Sequence, residues 1–127
     1  LVAPVGLHPA DGSALSGSML NINGDTVAGE LARAVSSERL IFLTDVEGIM
    51  DGSGRVIPRL NVRTARGLLG SGMVRGGMIP KLEASLRALE VVAVTNIVDG
   101  RRPGVLMECI RGTVTGTQIT GGPRSAP

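Results

Sequence analysis

A lysine stands one turn into a helix that opens on paired glycines, in the run Gly76-Gly77-Met78-Ile79-Pro80-Lys81. Glycines let backbone N–H groups approach an anion closely, and a helix N-terminus adds partial positive charge. Lys81 contributes a mobile full charge at the same place. That combination suits a phosphoryl group in transfer, whose charge spreads over several oxygens. Two more polar clusters accompany it. Thr44-Asp45-Val46-Glu47-Gly48 leaves the apolar run Leu40 to Leu43, and Asn21 to Thr26 precedes a helical pattern. Asp25 or Thr26 is placed to cap that helix, and Asn21 to point into a crevice. Each cluster also has a plainer reading: Asp25 as a cap only, Thr44-Asp45 as a strand-to-loop transition, Lys81 as a solvated side chain.

Other chemistries find no support. No Gly-x-x-x-x-Gly-Lys-Ser/Thr is present, and Gly70-x-Gly72 meets Arg75 where a dinucleotide fingerprint wants a third small residue. His8, the single histidine, sits in a Pro/Gly loop and reads as a surface residue, so no Ser–His–Asp set and no zinc cluster can form. Asp51-Gly52-Ser53-Gly54 lacks the further acids of a calcium loop and reads as a turn. Thirteen basic and 11 acidic residues leave a net charge of +2 without a basic run, and Trp and Tyr are absent, which argues against a nucleic-acid partner. No apolar run approaches the ~20 residues of a membrane span, and no charged-then-apolar leader opens the chain. Cys109 stands alone, which excludes an internal disulfide, favours a buried structural thiol and points to a cytoplasmic setting.

The elements that must position these clusters alternate. Leu1 to Val5 reads as a strand and Gly6 to Ser18 as a loop. A helix follows with Val27, Leu31 and Val35 on its inner face, then a strand at Leu40 to Leu43 of the kind covered on both faces. Val62, Ala65, Leu68 and Leu69 mark a second helix ended by Gly70 and Gly72. A third begins near Gly77 and buries Ile79, Leu82, Leu86 and Leu89. Val91 to Val98 reads as a strand closed by Asp99-Gly100. Pro103 sits in the first turn of a short helix with Val105, Leu106, Cys109 and Ile110, and a last strand runs through Thr117 to Ile119. The tail, 121–127, reads as disordered. With 43% apolar residues but Phe42 as the sole aromatic, the core is aliphatic. The expectation is an α/β fold, a three-layer α/β/α sandwich with a mostly parallel sheet. Ligands of such sheets gather beyond the carboxyl ends of the strands, where the polar clusters fall.

The order of the clusters is more specific than any one of them. Asn21-x-Asn23-x-Asp25-Thr26-x-Ala28-Gly29, Leu43-Thr44-Asp45-Val46-x-Gly48-Ile49, Gly76 to Lys81, Val98-Asp99-Gly100-Arg101 and Gly116-Thr117-x-Ile119 together resemble the amino acid kinase family, and within it the acetylglutamate kinases. The resemblance implies use of ATP with Mg2+ to phosphorylate the side-chain carboxylate of N-acetyl-L-glutamate in arginine biosynthesis. It assigns Lys81 to the transferring phosphoryl group, Asp25 to holding catalytic lysines, and Asn21 to the amino-acid substrate. It assigns Asp45, Val46, Glu47, Gly48, Ile49 and Met50, with Met73, Val74 and Arg75, to the adenine and ribose site. It also implies a homo-oligomeric parent that associates mainly outside this chain, which leaves the fragment itself monomeric.

By the same resemblance, residues 1–120 match the C-terminal, nucleotide-binding part of the kinase domain, and the N-terminal substrate lobe lies outside the chain. Residues 1–127 alone are then expected to show no turnover. Three positions depart from the family pattern: Gly24 stands where Ala is usual, Arg75 where a small hydroxyl residue is common, and Val91-Val92 where a glycine-containing turn is expected. The alternative is an arginine-sensing, kinase-like regulatory domain of an acetylglutamate synthase. Such a domain needs to keep neither Lys81 nor Asp25.

Overall fold

A computed structural model describes residues 1–10 and 13–121 of the chain, with side chains described outside 8–17. Chain order is β1 (Val5–Ala10), β2 (Ser13–Asn21), α1 (Gly24–Ala34), β3 (Arg39–Thr44), β4 (Arg59–Asn61), α2 (Val62–Gly70), α3 (Met78–Ala88), β5 (Val94–Asp99), α4 (Val105–Ile110) and β6 (Thr117–Thr120). Four strands form one sheet in the order β3-β5-β6-β4. β3 runs parallel to β5 and β4 parallel to β6, while β5 and β6 are antiparallel. The sheet is therefore mostly parallel, as expected.

Sheet residues alternate between two apolar layers. Leu40 and Phe42 of β3, with Ile97 of β5 and Ile119 of β6, join α1, α2 and α3 in the larger core. Ile41 and Val98 face the other way, where α4 seats Val105 and Cys109. Three helices on one face and one on the other give the α/β/α layering. Cover on the α4 face is partial, and Leu43 remains exposed there instead of being covered on both sides. Cys109 is fully buried, and its burial pushes the thiol pKa up, which fits a structural and unreactive role. Among the described residues, no helix is long and apolar enough to cross a membrane.

Several elements differ from the sequence expectation. Leu1 to Ala3 carry no regular structure. The segment read as a loop is an antiparallel hairpin, β1 against β2, with Val5 opposite Asn21 and Leu7 opposite Met19. Its small and polar residues hide the strand signal, because main-chain hydrogen bonding can form a ladder without an apolar face. β4 has no counterpart in the sequence expectation, because three residues with one buried side chain, Leu60, leave no periodicity to read. β5 starts at Val94, since Val91 and Val92 form the turn after α3, their N–H groups donating to the Ala88 carbonyl at 2.9 and 2.7 Å. That turn needs no glycine. α4 starts two residues beyond Pro103, behind Gly104. The tail beyond Gly121 and the His8 side chain lie outside the described residues.

The inner faces of the helices also differ. α1 buries Gly29 and Ala32, leaving Leu31 and Val35 exposed. α3 buries Leu82, Ala84, Ser85 and Ala88, with Ile79 exposed, and α4 leaves Leu106 and Ile110 outside. Small residues win the α1–α3 seam because the two backbones approach closely. A Cβ on Gly29 would stand 3.1 Å from both the Cβ and the carbonyl oxygen of Ala84. At that separation a leucine has nowhere to go.

Candidate functional site

The α1–α3 seam sets the central pair of charges. Asp25 precedes Gly29 by four residues on α1, and Lys81 precedes Ala84 and Ser85 by three and four on α3. Residues at those spacings share one face of a helix, so the close contact deeper in the seam brings the two charged side chains together at its mouth. Lys81 Nζ donates to Asp25 Oδ2 at 3.0 Å, and both side chains are about four-fifths buried, at 22% and 20% exposure. The same amine lies 3.4 Å from the Gly77 carbonyl.

Capping of α1 falls to another residue. Asn23 Oδ1 accepts from the backbone N–H groups of Asp25 and Thr26, at 2.9 and 3.2 Å. Neither Asp25 nor Thr26 is the cap, and the Asp25 carboxylate is left for Lys81. At the start of α3, Gly76 adopts φ +56°, a left-handed conformation that favours glycine, whereas Gly77 is ordinary right-handed helix. The Met78 and Ile79 N–H groups already donate to the carbonyls of Arg75 and Gly76. The helix start thus holds fewer free donors than the Gly-Gly pair suggests.

A cleft of about 220 Å³ opens beside this pair, lined by Thr44, Asp45, Val46, Arg75, Gly77, Met78 and Lys81. It adjoins a second of about 180 Å³, lined by Val46, Gly48, Ile49, Met50, Met73, Val74, Arg75 and Met78. Val46, Arg75 and Met78 line both. The resulting groove is polar and charged at the Lys81 end and walled by methionine, valine and isoleucine at the other. Such a groove can take a flat apolar group at one end and an anion at the other.

Of the residues singled out in the sequence, Lys81, Asp25, Asp45, Val46, Gly48, Ile49, Met50, Met73, Val74 and Arg75 gather around this groove. Glu47 does not. It lines a separate cleft of about 480 Å³ with Asp99, Arg101, Arg102, Val56 and Gly116. There Arg101 grips Asp99 through two 2.9 Å contacts and holds its carboxyl down at about 2, while Arg102 pairs with Glu108. Asn21 sits on the exposed end of β2, outside the residues lining the groove.

One positioning residue was not singled out. Thr117, fully buried on β6, accepts the Ile49 N–H and donates to the Ile57 carbonyl, each at 2.8 Å. It pins the loop that forms the groove wall to the sheet. A Cβ on Gly48 would come within 2.7 Å of the same hydroxyl, so the loop lies flat against β6 only because that position is bare. Gly116, at φ +63°, brings the strand in beneath the Ile97 and Glu47 carbonyls. The available signal was the Gly-Thr-x-Ile motif at 116–119. Thr44 works similarly from β3, its hydroxyl bonding both the N–H and the carbonyl of Val46.

Sequence and fold coincide with a known class. The chain belongs to the amino acid kinase family, whose profile matches residues 3–98. It is 44% identical over 108 residues to the acetylglutamate kinase of Caulobacter vibrioides (strain NA1000 / CB15N), covering 84% of this chain and 34% of that protein. To the acetylglutamate kinase of Nostoc sp. it is 46% identical over 111 residues, covering 84% and 37%. Among solved structures, N-acetylglutamate synthase from Neisseria gonorrhoeae complexed with coenzyme A and N-acetyl-glutamate matches with a TM-score of 0.76 at 23% identity, over 92% of this chain and 26% of that one. That likeness shows the fold. The chain spans about a third of the length of the two curated relatives.

Proposed function

We propose that residues 1–120 are the nucleotide-binding, C-terminal part of an acetylglutamate kinase, which transfers the terminal phosphoryl group of ATP to the side-chain carboxylate of N-acetyl-L-glutamate in arginine biosynthesis. The observation that carries this reading is the 3.0 Å contact between Lys81 and Asp25 at the edge of the groove. In-line transfer between two oxygens needs preplaced positive charge along its path. Lys81 supplies it from the nucleotide side. Asp25 fixes the amine's position through that contact. The apolar end of the groove, with Met50, Met73 and Ile49, holds the adenine and ribose. Asn21 serves the amino-acid side, completed by residues outside this chain.

Among the described residues, no group of three or more His, Cys, Asp or Glu is gathered for a metal. Mg2+ usually keeps several waters and binds through substrate phosphates and one or two carboxylates, so the donor set here suits a magnesium ion carried in on ATP, with Asp45 as the acid in the groove lining. When bound, it neutralises phosphate charge. The parent enzyme is cytoplasmic and homo-oligomeric in this reading.

A steady-state assay with MgATP and N-acetylglutamate, trapping acyl phosphate with hydroxylamine, tests the proposal. In the longer protein that carries this chain, Lys81→Ala lowers kcat by about 10²-fold or more and leaves nucleotide Kd within about threefold. Equal losses in both reduce Lys81 to a general binding residue. The 127-residue chain alone yields no trapped product; turnover by it overturns the partial-site reading. Arginine binding without turnover in the longer protein points to the regulatory alternative.

A further inference from the structure

We propose that Arg75 is the phosphate-facing cation of the groove and gives it a preference for a nucleoside polyphosphate over the bare nucleoside; the inference rests on the nucleotide reading above. Arg75 lines both halves of the groove, where the apolar end meets the Lys81 end. Its backbone is fixed on both sides: Val74 is packed in the core at 7% exposure, Gly76 makes the left-handed turn, and the Arg75 carbonyl accepts the Met78 N–H at 3.3 Å. Its side chain is exposed and makes no hydrogen bond or ion pair among the described residues. The backbone is fixed and the guanidinium is uncommitted.

The other charges of the groove favour such a cation. Lys81 is engaged by Asp25, and Asp45 adds a second acid to the lining. Without Arg75 these three leave the groove net negative; with it they balance. A polyphosphate entering a net-negative groove meets repulsion. Free N–H groups at the start of α3 offer little substitute, since two of them are already donating. A guanidinium also matches phosphate geometry, through paired N–H donors. Where the family pattern carries a small hydroxyl residue, this chain thus places a full charge at the junction of nucleoside and phosphates.

Titration calorimetry on the 127-residue chain with magnesium and AMP-PNP, AMP or adenosine tests this. Arg75→Ser weakens AMP-PNP binding at least tenfold, about 1.4 kcal/mol. It weakens AMP less and leaves adenosine within about twofold. Arg75→Lys, which keeps the charge, stays within about threefold for AMP-PNP. Raising salt narrows the gap between the unsubstituted chain and Arg75→Ser. Unchanged AMP-PNP affinity in Arg75→Ser overturns the inference while the nucleotide reading stands. So does an equal loss for adenosine, which makes Arg75 part of the nucleoside wall. If the unsubstituted chain binds none of the three, the nucleotide reading fails and this inference falls with it.

Discussion

Thr117→Val tests the link between sheet and groove most directly. The substitution keeps shape and volume and removes one hydroxyl, which strips the Ile49 N–H of its acceptor and the Ile57 carbonyl of a donor. Ile49 is 2% exposed, so its N–H is left without water as well. An unsatisfied buried group of this kind costs about 1–3 kcal/mol. Ile57 is half-buried and adds less, for a combined loss of about 2–3 kcal/mol. At about 2.1 cal/mol/K per residue, that lowers the melting temperature by about 7–11 °C. Thr117→Ser retains the hydroxyl and gives up a methyl group worth about 0.8 kcal/mol. Calorimetric melts of the three proteins, with hydrogen exchange at the Ile49 amide, make the comparison. Faster exchange at Ile49 is expected in the valine variant alone. A valine variant melting within about 2 °C of the parent, or a serine variant as damaged as the valine one, refutes the reasoning.

Gly29→Val drives a branched side chain into Ala84 and lowers the denaturant midpoint by the equivalent of about 1–3 kcal/mol. Gly24→Ala does the reverse: the nearest heavy atom to the new Cβ is Pro4 at 3.9 Å, and the gain is about 0.4–1 kcal/mol, read as a melting temperature a few degrees higher. Asp99 and Asp51 both have folded pKa values lowered to about 2, Asp99 chiefly by its hydrogen bond from Arg101 and Asp51 by that from Ser53. Their contribution is complete above the unfolded pKa near ~4 and is lost as pH falls from there through about 2. Urea midpoints at pH 5, 3 and 2 should therefore fall less steeply for Asp99→Asn than for the parent; parallel curves would count against the Arg101 contact.

Residue type and order made the family legible while contact size stayed hidden. The pairing of Lys81 with Asp25 comes from the resemblance of the ordered motifs to the amino acid kinases; residue type alone leaves Asp25 open as a cap and Lys81 as a solvated side chain. The faces of α1 and α3 were not legible, because hydrophobic periodicity weighs Val27, Leu31 and Ile79 above Gly29, Ala32 and Ala84, and the seam selects for smallness instead. The strands with apolar runs, β3 and β5, were visible; the hairpin and β4, which rest on main-chain pairing, were not. Glu47 shows a finer limit. Its neighbours on either side, Val46 and Gly48, turn into the groove while it turns into another cleft, and a contiguous motif does not reveal that alternation.

Among the described residues β6 is the last strand in chain order but an inner one in the sheet, lying between β5 and β4. A ribosome delivers it after the other described elements, so β4 waits without its sheet neighbour until residue 120 has emerged. The groove wall waits too, since its anchor is on that same strand. Vectorial synthesis therefore makes sheet closure and the shaping of the ligand cradle one coupled step, and a nascent chain halted a dozen residues before residue 120 should be more open to proteases at β4 and the groove wall.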